Sequence, residues 1–559
     1  MGKFVLNLLS VYLLALSCQM RSFPARVAFD IRNHLSTKNR YAFRLSIPNA
    51  PSIYDYPDPD GYKPLYLWLI SRHGTRWPTK GRMSEINTLE RLFMDASNVE
   101  KYPWLEMWQS PTKGMDIASG ELHDVGNEEM WSLAWRLRKR FPTIVAQQYF
   151  PKRYSIVSSQ VSRAAASAAA FASGFFPPIS QPDFADCSTA SLGAAVLKED
   201  ALCRDRQLKG EGPILTRPQA VAITMSPKDA DPLLRFFDIC PAYEAQEKRT
   251  GAILDPWMEA NWSLLAPKLE QRLGMNRTLS ASEVEALWQL CLWEAGVQNQ
   301  TSQACQLFLP SEVSLLEWMD DVDLLENHGY GASINYQMAA PLLGDLVASL
   351  QDVANQKSPW ERARLLFGHC ETLIPLASLM GLFNQLQEDY RSNGEASLSL
   401  TESTSLQSDY VFNDDSALHD AYHYNLKLRL KSSRTSTLWQ PTIPLRLDRM
   451  WRGSRIAPYG SNMFLVLYRK QTSGSSTGPQ HLVRLVYNEQ VIPIPKCGGV
   501  LLDDGVFSSN VDHAKMSVEM GSLGMDCDLE KFLDLYQSMA ADPQSLDRIC
   551  ALHSTVATS

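Results

Sequence analysis

Six consecutive apolar residues, Leu65-Tyr66-Leu67-Trp68-Leu69-Ile70, run through Ser71 straight into Arg72-His73-Gly74-Thr75-Arg76. An apolar run without polar alternation fits a strand buried on both faces, the kind found in the middle of an α/β sheet covered by helices. Such a strand delivers whatever follows it to the end of the sheet, and here that is one imidazole between two guanidiniums. Guanidiniums stay charged and present a fork of donors that matches phosphate oxygens. Packed beside a histidine, the two repel each other unless an anion lies between them. Gly74 permits close backbone approach where a side chain would obstruct it. An isolated arginine pair reads equally well as a solvated turn, but a buried strand leading into this pentapeptide favours an anion site.

Strand and helix signals alternate through the rest of the chain. Asn127–Phe141 carries Met130, Trp131, Ala134, Leu137 and Phe141 on one helical stripe. Tyr154–Val157 reads as a short strand, followed by an alanine-rich helix over Ser162–Phe171. Between about Pro182 and His328 helical patterns dominate, among them Ser282–Ala295 behind a serine cap. Alternation then resumes: Ser333–Leu350 as helix, Ala363–Phe367 as strand, Leu373–Phe383 as helix. Met463–Tyr468 and His481–Tyr487 read as strands flanking a polar hairpin loop, with Gln490–Ile494 as one more, and the serine-rich Ser392–Ser408 as an exposed loop. The expectation is an α/β fold: a mixed, mostly parallel sheet flanked by helices. Residues 40–181 and 329–552 form that domain, and 182–328 form a mainly helical inserted cap.

Targeting signals narrow the compartment. Lys3 followed by the apolar stretch Phe4–Leu16 fits a secretory signal peptide over residues 1–18. No later segment approaches the length of a membrane span, so no stable membrane anchor is expected. The last residues, Leu552 to Ser559, carry neither a hydrophobic tail nor a retrieval signal. Sequons at Asn261, Asn276 and Asn299 are expected to be glycosylated. Beyond Cys18, nine cysteines show no close Cys-x-x-Cys pair, so disulfides are expected rather than zinc. Cys291 with Cys305 and Cys497 with Cys527 are the preferred local bridges, and Cys370 is the thiol left over. The chain is therefore placed in the secretory pathway, secreted or in an acidic lumen. A net charge of −8 argues against broad nucleic-acid binding, while leaving room for a local basic pocket.

With Trp77-Pro78 behind it, the pentapeptide resembles the signature of the histidine acid phosphatases, a branch of the phosphoglycerate-mutase-like superfamily. The resemblance implies His73 as a transiently phosphorylated nucleophile, with Arg72 and Arg76 clamping the phosphate. The segment Ser159-Gln160-Val161-Ser162-Arg163 followed by Ser167-Ala168 resembles the family's Ser-x-x-x-Arg-x-x-x-Ser-Ala element, which implies Arg163 as a third clamp. His369-Cys370-Glu371 is similar to the His-Ala-Glu element of the multiple inositol polyphosphate phosphatases, with cysteine where alanine is usual. That likeness implies phosphate contact by His369 and protonation of the leaving oxygen by Glu371. Leu233–Cys240, Gly329–Tyr336 and Trp451–Pro458 extend the similarity in order along the chain.

The implied reaction removes phosphates from inositol polyphosphates, phytate included, through a phosphohistidine, with no cofactor or metal because cationic groups hold the phosphate. Lys80 and Arg82, just beyond the motif, are candidates for a neighbouring phosphate or else surface residues. Alternatives are a broad-specificity acid phosphatase, a 2,3-bisphosphoglycerate phosphatase, or a non-catalytic phosphate-binding relative. A tension follows: a helix start and nearby arginines should depress the pKa of Glu371, yet a general acid must hold its proton. His419 and His423, four apart, lack a third metal ligand, and His513-Ala514-Lys515 lacks the acid.

Overall fold

A computed structural model of the chain describes residues 29–145, 148–176, 178–180, 216–384, 449–471, 479–497 and 524–552. The expectations for the signal segment, Cys187, Cys203, the serine-rich loop, His419, His423, His513 and nearly all of the hairpin loop lie outside these residues.

The described residues form a seven-stranded sheet with strands β1 (Tyr62–Arg72), β2 (Tyr154–Ser158), β5 (Ala363–Gly368), β6 (Asn462–Lys470), β7 (His481–Tyr487), β8 (Gln490–Ile492) and β9 (Asp526–Asp528). Strands β3 (Ile179–Ser180) and β4 (Thr216–Arg217) make a separate two-stranded ribbon. In the large sheet the order is β2-β5-β1-β6-β7-β8, with β9 also pairing β7. The sheet is mixed. β5 runs parallel to both β2 and β1, while the pairings from β1 through β6, β7, β8 and β9 are antiparallel. It follows that β2, β5, β1 and β7 point the same way.

The apolar run of β1 explains why this strand is central. Tyr66, Trp68 and Ile70 enter one hydrophobic cluster, and Leu67 and Leu69 enter the other on the opposite face. β6 divides the same way, with Met463, Leu465 and Leu467 on one side and Phe464, Val466 and Tyr468 on the other. Helices α2 (Asp124–Arg140) and α3 (Ser162–Phe175) cover the second face. In α2 the buried stripe is Met130, Leu133, Ala134 and Leu137. Trp131, expected on that stripe, is 39% exposed, because the buried face passes through Leu133 instead.

The first face is covered by α7 (Ala340–Ala354) and α8 (Cys370–Leu379). A continuous helix over Ser333–Leu350 does not form. A single turn at Ile334–Gln337 stops before α7, whose first turn carries Pro341, a residue with no N–H to continue an earlier helix. Within the stretch expected to be helical, helices α4 (Pro241–Leu273), α5 (Ala281–Trp293) and α6 (Pro310–His328) fill most of residues 241–328. α5 begins behind Ser280, whose capping box with Glu283 satisfies the first-turn amides. Leu287, Trp288 and Leu316 of these helices share one apolar cluster with Trp68 and Leu366 of the sheet. α1 (Lys80–Met94) and α9 (Leu529–Tyr536) complete the layer.

Disulfides join Cys291 to Cys305 and Cys497 to Cys527, and a third, not anticipated, joins Cys240 to Cys550. Cys370 is free, as expected, and partly exposed. Among the described residues no helix is long and apolar enough to cross a membrane. One sequon expectation is corrected: Asn261 is fully buried within α4, and its amide nitrogen donates to the Trp257 carbonyl at 2.8 Å, leaving no room for a glycan. Asn276 and Asn299 are exposed.

Candidate active site

The parallel strands bring their C-terminal ends together, and each end carries part of one cluster. His73 follows β1 and donates its backbone N–H to the Gly368 carbonyl of β5 at 3.0 Å. Ser159 follows β2 and donates its N–H to Phe367 at 3.0 Å. His369 follows β5, and α8 starts at the next residue, placing Glu371 in its first turn. Carboxyl ends of parallel strands are where α/β sheets bind ligands, since helix N-termini point there.

The loop after β1 is seated by its neighbours. A Cβ on Gly74 would lie 2.7 Å from Gly126 Cα, so loop and helix meet backbone to backbone. The Gly74 N–H donates to Ser167 Oγ at 3.1 Å. The Thr75 N–H and hydroxyl both donate to the Glu129 carboxylate, at 2.8 and 2.9 Å. This fixed loop holds the buried His73 with Nδ1 2.9 Å from the Gly74 carbonyl oxygen. A carbonyl only accepts, so Nδ1 carries the proton and Nε2 keeps its lone pair. Burial, then the charges of Arg72, His369, Arg163 and Arg76, hold the imidazole pKa well below its ordinary value. A neutral imidazole with a free Nε2 is a nucleophile.

Arg72, Arg76 and Arg163 all act on His73, and each has a buried Nε–H without a hydrogen-bond partner. Buried donors are normally satisfied, so three unpaired ones in one place fit an anion. Arg72 is held from behind: its Nη1 donates to the carbonyls of Thr37, at 2.7 Å, and Ala457, and its guanidinium lies 4.5 Å over the Tyr459 ring. Burial first, and Arg76 next, lower Arg163 to about 10, so it remains charged at physiological pH.

The rings of His369 and His73 meet edge-on, with centroids 5.4 Å apart. Burial, followed by the charges of Arg163, Arg235 and Arg72 against that of Glu371, depresses His369 to about 3. Burial pushes Glu371 up, but His328, His369 and the Cys370 thiol, which donates to Glu371 Oε2 at 2.9 Å, outweigh it. The carboxyl sits well below its usual range. The expected depression is present, though its main sources are histidines and a thiol.

The structure therefore brings Arg72, His73, Arg76, Arg163, His369 and Glu371 into one cluster. Lys80 opens α1 with an exposed side chain and makes none of the described contacts to that cluster. Arg82 is committed elsewhere, ion-paired with Glu85 and Glu285 at 2.7 Å each. Sequence reasoning missed Ser159 and Arg235, which both lie 2.9 Å from His369 Nε2. It also missed His328, and Tyr459, whose hydroxyl is pushed up by burial but brought below its ordinary value by Arg76, Lys38 and Arg72. Arg235 and Tyr459 lie in or beside stretches noted for family likeness. Nothing local marked them, because the cluster residues they meet lie more than a hundred positions away.

A buried imidazole at a strand end, with three guanidiniums that keep unpartnered Nε–H groups around it, is suited to holding a phosphate against a histidine. The chain belongs to the histidine phosphatase superfamily, branch 2, whose family model matches residues 66–411. It is 24% identical over 500 residues to multiple inositol polyphosphate phosphatase 1 of Homo sapiens, covering 84% of each chain. It is 26% identical over 444 residues to the protein of that name from Gallus gallus, covering 77% of this chain and 78% of the relative. Among solved structures it resembles the phytase from D. castellii, with a TM-score of 0.59 at 15% identity, covering 93% of this chain and 88% of that one.

Proposed function

We propose that the chain is a phosphomonoesterase that removes phosphates from inositol polyphosphates, phytate among them, through a phosphohistidine on His73. The observation that carries this is the neutral imidazole with Nε2 free amid three guanidiniums with unpartnered Nε–H groups. Names borne by the relatives support the substrate class. In the first step His73 Nε2 attacks phosphorus while Arg72, Arg76, Arg163 and His369 hold the nonbridging oxygens. Glu371 gives its proton to the departing alcohol oxygen. In the second step water, deprotonated by Glu371, cleaves the N–P bond and restores the imidazole.

Residues 182–328 serve as a cap on the domain formed by 40–181 and 329–552, and the exposed Lys80 takes a second substrate phosphate. The chain works in the secretory pathway, for which the three disulfides among the described residues are suited. Incubation with phytate, with product mapping and acid-quench trapping of labelled enzyme, tests the reading. Phosphate release and a trapped phosphoenzyme are expected from the parent chain, and neither from His73→Ala. Release no greater than that of His73→Ala overturns it.

A further inference from the structure

Arg235 lies on none of the three strand ends, yet it reaches the heart of the cluster. Its Nε and Nη2 are both held by Asp238, and its guanidinium lies 5.0 Å over the Phe237 ring. The free arm, Nη1, is 2.9 Å from His369 Nε2. Phe237 also meets the His369 ring edge-on, with centroids 6.3 Å apart.

The segment bearing Arg235 is stitched to the start of α8. The Asp231 carboxylate accepts from the Leu233 and Leu234 N–H groups at 3.1 and 2.9 Å. The Leu234 carbonyl accepts from Thr372 Oγ1 at 2.8 Å, and that oxygen accepts the His369 N–H at 3.1 Å. Just beyond, Cys240 is bonded to Cys550. Adjacent residues thus grip the backbone and the ring of the same histidine.

We propose that Arg235 is a positioning residue for His369, fixing its ring and keeping its Nε2 unprotonated in the resting site. A guanidinium only donates, so Nε2 must accept and the neutral ring carries its proton on Nδ1. Ser159 Oγ, also 2.9 Å away, shares that nitrogen. The groups facing His369 are Arg72 and His73 from the β1 end, Arg163 from α3, Glu371 from α8 and Arg235 from this segment. An ordinary histidine becomes a cation in mild acid, which would break the Arg235 contact and add charge to the clamp; burial and three guanidiniums hold His369 neutral there.

The role in catalysis rests on the phosphatase reading, but the ring's protonation does not, so one arm of the test needs no turnover. In the full chain labelled with 15N-histidine, with His369 assigned through His369→Asn, NMR between pH 4 and 7 should show Nδ1 protonated and Nε2 bare. A proton on Nε2, or a doubly protonated ring at pH 5, overturns the proposal without any variant. In Arg235→Gln the His369 titration should rise by about one pH unit or more, and an unchanged titration also overturns it. Kinetically, Arg235→Gln should lower kcat/KM for an aryl phosphate at least about tenfold in the parent and about twofold or less in His369→Asn, because the two act as a unit. Equal losses in both backgrounds would show that Arg235 does not act through His369. Absence of phosphate release from the parent chain would sink the enzymatic reading while leaving the NMR result to decide the positioning role.

Discussion

Cys370 departs from the family's usual alanine, and its thiol donates to the carboxylate proposed as the proton donor. A hydrogen bond to a charged group favours the charged form. Cys370→Ala should therefore raise the pKa of Glu371 and populate the acid form at higher pH. The alkaline limb of kcat should move up by about 0.5–1 pH unit, as one such bond is worth on the order of 1 kcal/mol. A pH–rate profile of the variant that overlays the parent's would sink this. Bound phosphate opposes ionisation of the same carboxyl. Activity should accordingly fall toward neutral pH with weakly phosphorylated substrates and persist higher with densely phosphorylated ones, which paired profiles can check.

Helix α2 and the loop after β1 depend on each other through two glycines. A Cβ on Gly126 would lie 2.6 Å from the Thr75 nitrogen and 2.7 Å from Leu122 Cδ1, so something must move. Gly126→Ala should cost about 1–3 kcal/mol by overpacking, read as a lower denaturant midpoint. It should also lower kcat, because Thr75 is two residues from His73. Loss of stability with unchanged kcat would mean the loop tolerates the shift. At this scale much was legible in the sequence. Leu65–Ile70 announced a doubly buried strand, and His369-Cys370-Glu371 a strand-to-helix junction. The break at Pro341 and the outward turn of Trp131 were not legible, because each was decided by how a helix meets its neighbours.

Across the molecule, burial keeps some acids protonated well above their ordinary range. Burial pushes Glu294 up to about 8 and Asp320 to about 7, against ordinary values of 4.5 and 3.8. The folded chain then holds protons that the unfolded chain gives up, so stability falls as pH rises from about 4 toward those values. Glu317, depressed by Arg452, His34 and Arg449 against its burial, works the other way, and its contribution is lost only below its ordinary value of 4.5. Melting should therefore be higher near pH 5 than near pH 7.5, and Glu294→Gln should shrink that difference. Calorimetry giving the parent and variant the same pH dependence would remove Glu294 from the account. The Cys240–Cys550 bond spans 310 residues. Replacing both cysteines with serine should destabilise the chain by on the order of 2–5 kcal/mol in the chain-entropy model, seen as a lower Tm.

The sequence by itself determined the parts that are written locally. A strand that must be buried on both faces, the residues it delivers, and two further junctions with Arg163, His369 and Glu371 can each be read within about a dozen positions. What only the tertiary structure decided is the set of partners those residues meet. Arg235 reaches His369 from 134 positions away, Arg82 is taken by Glu285 instead of facing substrate, and Asn261 is lost inside a helix. Strand periodicity and motif spacing are short-range properties. Hydrogen bonds and charge pairs among distant side chains depend on how the sheet and its helices close around one another, and no local pattern encodes that.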